Sequence, residues 1–572
     1  MRLFLLVILA PTILACTPPA RTPPPAPSGQ APAGAESQTI RTLPAAIRVE
    51  PASIAGKGLQ QSSLTLGATV RTFNAGLSII DDHDQPRPYL AETLPVLNTD
   101  TWKVNADGTM ETTYRLRPNL TWHDGAPLAA DDFAFAWKVY TTPEFGIAGT
   151  APQGLIEDIL APDARTVTIR WRREYPFAGQ IEPSGNRGFP PLPRHILESQ
   201  IQQASSEAVL GLPFWTTAYV GAGPFKVMRW DPGSAIEAAA FDGHALGRPK
   251  IDRIQLRFIN DANTALSNIL SGAVQLLMDD AVYFQQATVL KREWANNQGG
   301  GVVIAAGLWR YTQIQLSPEY NGSRPLTDLR VRKALAHGLD RDAINDGIYE
   351  GQGIHSDSVI PPTADYYPII DRAVTKYPFD PRRSEQLMAD AGFSKGSDGY
   401  FTSPDSSRFS PELKVIQNAQ NEAEQAIMAS VWRQVGFDIR EAVLPAAQAQ
   451  DAQLRATFPD MFTTGGPTGE TVLPVLGTAG TPRPENRWNG TNRSSWSNAE
   501  YDRLVTAYNT TLDRDQRIQH IARMVAIFSD ELPALAVNFN PGITAFTSAL
   551  KGPQTVGADG TTTWNIHEWA FR

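Results

Sequence analysis

One cysteine in 572 residues, Cys16, limits how this chain can hold itself together. A disulfide needs two thiols, so no cross-link within the chain can restrict its unfolded state. Stability has to come from buried apolar surface, and 42% hydrophobic with 19% charged residues is a balance that can supply it. Length adds a second constraint, because single cores stop growing at roughly 250–300 residues. At least two lobes are expected. Strand-like and helix-like stretches alternate without a clear linker or a repeat of roughly 20–50 residues, which points to a mixed α/β fold with lobes built from non-contiguous segments.

The place of Cys16 is as informative as its solitude. Arg2 and the apolar run from Leu3 to Ala10, followed by Ile13-Leu14-Ala15, have the parts of a secretory signal peptide. The run is too short for a membrane span, which needs about 20 apolar residues. Ile13-Leu14-Ala15-Cys16 resembles the lipobox of bacterial lipoproteins. The resemblance implies removal of residues 1–15, lipid modification of Cys16 as the mature N-terminus, and residence in the periplasm or on the outer face of the cell membrane. Residues 16–44, rich in Pro, Ala, Gly and Ser, read as an extended tether that cannot bury enough surface to order itself. The chain carries a formal charge of −9, one unit more negative once Arg2 is removed. Without a basic cluster it is a poor partner for nucleic acid or anionic lipid, so membrane attachment falls to the Cys16 lipid alone.

Local patterns give the first elements. Ala46-Ile47-Arg48-Val49 alternates like a strand, and Asn105-Ala106-Asp107-Gly108 between alternating runs predicts a hairpin over Lys103 to Leu116. Helices are predicted after Ala129, over Asn263 to Ser271, Asp328 to Leu339, Pro381 to Ala391 and Asn421 to Val435, with Asp380 as N-cap and Pro381 at N1. A second strand-rich stretch is expected from Gly223–Trp230 through Ile251–Phe258. The eight histidines never fall four apart, and there is no phosphate loop or nucleophile elbow. His123-Asp124 reads as part of a turn, and Asp279-Asp280 as the solvated end of an apolar run. We therefore expect no catalytic residues, no metal and no cofactor: the chain is not read as an enzyme.

Ordered motifs cover most of the chain. Pro88-Tyr89-Leu90-Ala91-Glu92, Tyr114-Arg115-Leu116-Arg117-Pro118 and Trp122-His123-Asp124-Gly125-Ala126-Pro127-Leu128 come first. Gly221-Ala222-Gly223-Pro224-Phe225, Ser271-Gly272, Pro325 to Leu335 with Leu339-Asp340-Arg341, and Tyr377-Pro378-Phe379-Asp380-Pro381 follow. Ala391-Gly392-Phe393, Gly436-Phe437 and Asn498-Ala499-Glu500-Tyr501-Asp502 complete the series. Together they resemble the family 5 solute-binding proteins, receptors of oligopeptide, dipeptide and nickel ABC importers.

The resemblance implies two α/β lobes of periplasmic-binding-protein type joined by crossover strands, with an additional domain. Lobe one would comprise residues 45–75, 190–310 and 525–572, the additional domain 76–189, and lobe two 311–524. It also implies a monomer that closes on a peptide or other small polar solute and delivers it to an ABC permease. Peptide-binding members place a carboxylate for the peptide ammonium in a segment of the type D-x-x-x-x-x-W-x-x-D. Here Asp460-Met461-Phe462 matches its start, but the Trp and following Asp are absent, and Glu470 is the nearest substitute. Candidate ligand-binding residues are Trp309, Arg310 and Tyr311 at the expected crossover, Gly465 and Gly466 offering backbone groups, and Trp488 with Asn489. Arg310 suits a carboxylate or phosphate, and the rings offer flat apolar contact, although Trp309 and Tyr311 also fit an ordinary packed core. A hydrolase, or a signalling or chaperone-like protein on the same scaffold, is the alternative.

Overall fold

The computed structural model describes residues 40–59, 67–145, 147–149, 151–185, 187–279, 281–449, 451–486, 488–558 and 560–572. Cys16 and the tether as far as residue 39 lie outside them. One mixed sheet dominates. Its strands are β1 (Thr42–Ile47), β2 (Phe225–Asp231), β3 (Ala235–Ala240), β4 (Arg253–Phe258), β5 (Leu276–Leu277) and β6 (Gly300–Ile314). They continue with β7 (Ile354–His355), β8 (Glu412–Ile416), β9 (Arg440–Leu444), β10 (Met461–Gly466) and β11 (Ala534–Thr547). The order across the sheet is β9-β8-β10-β6-β11-β5-β1-β4-β3-β2, with β7 also on β11. β1 runs parallel to β4 and β5, and β8 parallel to β9 and β10, while the other pairs are antiparallel.

The two long central strands, β6 with 15 residues and β11 with 14, join the two ends of this sheet. Their pairing shifts register between Ala306 and Trp309 and again between Arg310 and Tyr311. Bulges of this kind bend a strand and re-aim its side chains. Gly307 sits at the first: a Cβ there would lie 2.9 Å from the Asn540 carbonyl oxygen, so only glycine lets the two backbones approach.

Strand β1 begins at Thr42, earlier than the expected Ala46, and so includes Pro44 from the segment read as tether. Proline lacks an N–H but keeps its acceptor, and the Pro44 carbonyl takes the Gln275 N–H at 2.7 Å. The expected hairpin forms between Trp102–Val104 and Met110–Arg115, with Gly108 at φ +84° in its turn. These strands continue through Thr166–Trp171 and Ile156–Asp163 into a separate four-stranded antiparallel sheet.

Helix starts follow side-chain caps. Asp261, Asp328, Asp380 and Asn418 each accept a backbone N–H at the heads of helices Ala262–Leu270, Leu329–His337, Pro381–Asp390 and Ala419–Val435. The helix Ala130–Tyr140 starts differently, with the Asp132 carboxylate reaching back to the Ala129 N–H at 3.0 Å.

Buried apolar residues gather into two main cores. One holds Leu43, Phe73, Tyr114, Trp122 and Trp171 together with Trp309, Leu473, Trp496 and Tyr501. The other holds Ile314, Val331, Leu335, Leu413, Trp432 and Leu535. Trp432 is fully buried and its indole N–H reaches the Leu335 carbonyl at 2.9 Å.

Candidate functional site

The bulged stretch of β6 brings several predicted residues together. Trp309, Arg310 and Tyr311 stand opposite Gly466, Gly465 and Thr464 of β10 on one side. On the other they stand opposite Phe539, Asn538 and Ala536 of β11. Alternation puts Trp309 and Tyr311 on one face, where their rings stack at 4.1 Å with 20° between planes. Both are buried, and the Trp309 indole N–H donates to Ser356 Oγ at 2.9 Å. They are packed core residues that also border the glycine pair.

Arg310 points to the opposite face and is engaged. Its Nε donates to Glu424 Oε2 at 3.1 Å and its Nη2 donates to the same oxygen, with both side chains almost fully buried. Burial works against the charge, yet Glu424 holds the Arg310 guanidinium above its ordinary range. The guanidinium expected to meet a solute carboxylate therefore meets one supplied by the chain. A polar layer continues along this face: Tyr349 Oη donates to Asn540 Oδ1 at 2.7 Å, and Gln420 Nε2 donates to Tyr349 Oη at 3.0 Å.

Gly465 and Gly466 are half-buried at the end of β10. A Cβ on Gly466 would sit 3.3 Å from the Tyr311 hydroxyl, and one on Gly465 3.5 Å from Arg310 Cδ. Trp488 and Asn489 occupy a separate loop. Trp488 has φ +60°, donates its N–H to the Arg483 carbonyl at 2.8 Å and meets Tyr320 edge-on at 6.1 Å, while Asn489 is exposed. No hydrogen bond or ring contact among the described residues links this loop to the Trp309–Tyr311 stack. Glu470 is also engaged: its Oε1 accepts from Arg187 Nη2 at 3.0 Å, and that guanidinium lies 4.1 Å over the Phe177 ring.

Two motifs noted in the sequence turn out to hold one another. The His123 N–H donates to the Gly221 carbonyl at 2.9 Å, His123 Nδ1 accepts from the Gly221 N–H at 3.1 Å, and Nε2 lies 3.0 Å from the Gly223 carbonyl. Asp124 turns away to His195 Nε2 at 2.7 Å, so His123 and Asp124 serve structure in different directions. The Asp279 carboxylate caps helix Gly67–Phe73, accepting from the Thr69 N–H at 2.8 Å, and Asp280 lies outside the described residues. Sequence reasoning missed Glu424. Its signal was a carboxylate on the row occupied by Met428 and Trp432, the buried face of helix Ala419–Val435.

Residues 92–476 match the family described as "Bacterial extracellular solute-binding proteins, family 5 Middle". The dipeptide-binding protein of Escherichia coli is 23% identical over 486 residues, spanning 81% of this chain and 83% of that protein. The oligopeptide-binding protein of Thermus thermophilus, solved with a pentapeptide, superposes with a TM-score of 0.74 at 22% identity. That match covers 93% of this chain and 96% of the other. NikZ of Campylobacter jejuni, solved with Ni(L-His), gives 0.73 at 21% identity, covering 92% and 99%. The mixed α/β fold is that of these periplasmic binding proteins, and the chain belongs to the family 5 bacterial extracellular solute-binding proteins.

Proposed function

We propose that the protein is the receptor of an ABC importer, a monomer tethered by lipid at Cys16 that closes on a peptide or related small polar solute. The family match over residues 92–476 carries the reading. It is supported by relatives named for dipeptide binding and by folds solved with a pentapeptide and with a nickel–histidine chelate. In this reading residues 45–75, 190–310 and 525–572 form one lobe, 76–189 the additional domain and 311–524 the opposing lobe. The strands β6 and β11 are the crossovers about which the lobes close, and closure is driven by the solute's higher affinity for the closed state. Gly465 and Gly466 offer main-chain groups to the solute, as in strand addition, while the Trp309–Tyr311 stack floors that edge.

Native mass spectrometry of the purified protein tests this reading. A small solute that co-purifies and is lost on mild unfolding is the expected result. Recovery of cleavage products alone from an added peptide library would favour a hydrolase. A protein that neither retains a solute nor rises in melting temperature with any peptide, sugar or metal chelate would contradict the proposal.

A further inference from the structure

Three imidazoles meet at one seam. His123 belongs to the segment 76–189, His244 and His567 belong to the segments beside it, and the first two are buried. The His244 and His567 rings lie 5.0 Å apart. Phe241 joins His244 to His123: its carbonyl accepts the His244 N–H at 3.2 Å, and its ring meets the His123 ring edge-on at 5.0 Å. Tyr89, again from 76–189, closes the seam with its hydroxyl 2.8 Å from His244 Nε2.

Each hydrogen bond here suits an uncharged ring. The Gly221 N–H points at His123 Nδ1 and the Gly223 carbonyl at Nε2, so a second proton on this ring would set two N–H groups against each other. His244 Nδ1 faces the Gly247 carbonyl at 2.8 Å, which leaves Nε2 to accept from the Tyr89 hydroxyl. A proton on that nitrogen would turn the bond around and set a charge against the His567 ring. Counter-charges are poorly placed. Asp124 is engaged by His195, Glu568 Oε1 is exposed and 4.0 Å from His567 Nε2, and Asp242 pairs with Arg248 at 2.7 Å. Lys226 and Lys250 oppose protonation of His123 and His567 respectively. Burial has the largest effect: it lowers His123 to about 4 and His244 to about 3, and it lowers His567 as well.

We infer that His123, His244 and His567 form an acid-sensitive latch that, on taking up protons, releases the turn Trp122–Gly125 and Tyr89 from Gly221–Gly247 while the surrounding fold stays closed. The inner side of the seam has no room to give. Gly221 and Gly223 back onto Phe73 and Asn74 so closely that a Cβ would fall 2.4 Å from the Phe73 oxygen and 2.3 Å from the Asn74 nitrogen, respectively. The turn is therefore the side that moves. Ties without histidine hold the rest of 76–189 in place: Arg71 donates to Glu182, and the Tyr140 hydroxyl donates to the Pro190 carbonyl at 3.1 Å. Opening is accordingly local, one low-cost unit within a more stable molecule. A member of an extracellular family meets the pH of its medium, and this latch lets acid loosen one seam ahead of unfolding.

The test is native-state hydrogen exchange of the full-length protein at pH 7.5 and pH 5, read by mass spectrometry on peptides over 119–128 and 219–247 and corrected for the intrinsic pH dependence of exchange. A released histidine titrates near its ordinary value of about 6.5, so each ring that the closed seam keeps neutral raises the opening constant about 30-fold between these two pH values. His123 and His244 together are expected to raise it at least several hundredfold. Peptides of β8, β9 and β10 should remain more strongly protected than the seam at pH 5. His244→Phe keeps an aromatic ring but removes one proton site, so its rise should be at least about tenfold smaller. The comparison is a ratio between two pH values, so a variant of lower stability still reports, and the wild-type measurements stand without it. The latch is overturned if the wild-type rise is about 30-fold or less, if the seam exchanges only together with β8, β9 and β10, or if the rise in H244F comes within tenfold of the wild type.

Discussion

Arg310 and Glu424 illustrate how a buried charge can be structural in a protein whose business is binding. The pair is worth little relative to an apolar pair of the same shape, but removing one partner leaves the other charge stranded. Arg310→Gln is expected to cost about 3–5 kcal/mol in urea unfolding, and R310M/E424M considerably less; equal losses in the two would contradict the pairing. His123 makes a second residue-level prediction. Its Nδ1 accepts the Gly221 N–H, so Nε2 carries the proton and donates to Gly223, a task only the neutral ring can perform. Burial lowers its pKa to about 4, and burial lowers His244 to about 3. The unfolded chain titrates near 6.5, so between about 6.5 and 4 it takes up protons that the native state refuses. The stability these histidines contribute should therefore hold above about pH 6.5 and fall below it, by about 1.4 kcal/mol per pH unit for each such histidine. His123→Phe should flatten this slope by one proton in urea unfolding measured across pH, and an unchanged slope would refute the assignment.

At the level of elements, local chemistry decides where helices and turns begin. Asp380 accepts from the Arg383 N–H at 2.9 Å ahead of Pro381, so Asp380→Ala should cost about 1 kcal/mol in thermal unfolding. A change within a few tenths of a kcal/mol would mean that tertiary packing, rather than the cap, sets this helix start. Such features were legible in the sequence because cap, turn and periodicity involve neighbours only: the Gly108 hairpin and the Asp328 and Asp380 helix starts appear as read. The candidate site was legible only in outline. The crossover stretch Trp309–Tyr311 and the glycines opposite it could be picked out by family pattern, whereas the partner of Arg310 lies 114 residues away in the chain. Glu424 reaches it only because a helix packs over the sheet. The start of β1 was misplaced because Pro44 argues against a strand on local grounds, while its neighbours β4 and β5 impose one.

At the scale of the whole molecule, the Arg187–Glu470 pair ties the segment 76–189 to the loop that follows β10. In the proposed receptor this contact favours the closed arrangement, so Glu470→Gln should raise the solute dissociation constant by several-fold through a faster off-rate, measured by stopped-flow tryptophan fluorescence among the 13 Trp. An unchanged off-rate would make the pair purely structural. The tether makes its own prediction: Cys16→Ser should leave the protein in the soluble extracytoplasmic fraction, and continued membrane retention would contradict the anchor. The central claim is that two lobes close on a solute about β6 and β11. Small-angle X-ray scattering of the same preparation before and after the solute is stripped tests it most directly. The account predicts a larger radius of gyration in the stripped protein, reversed when solute is restored, whereas identical scattering from loaded and stripped protein would contradict it.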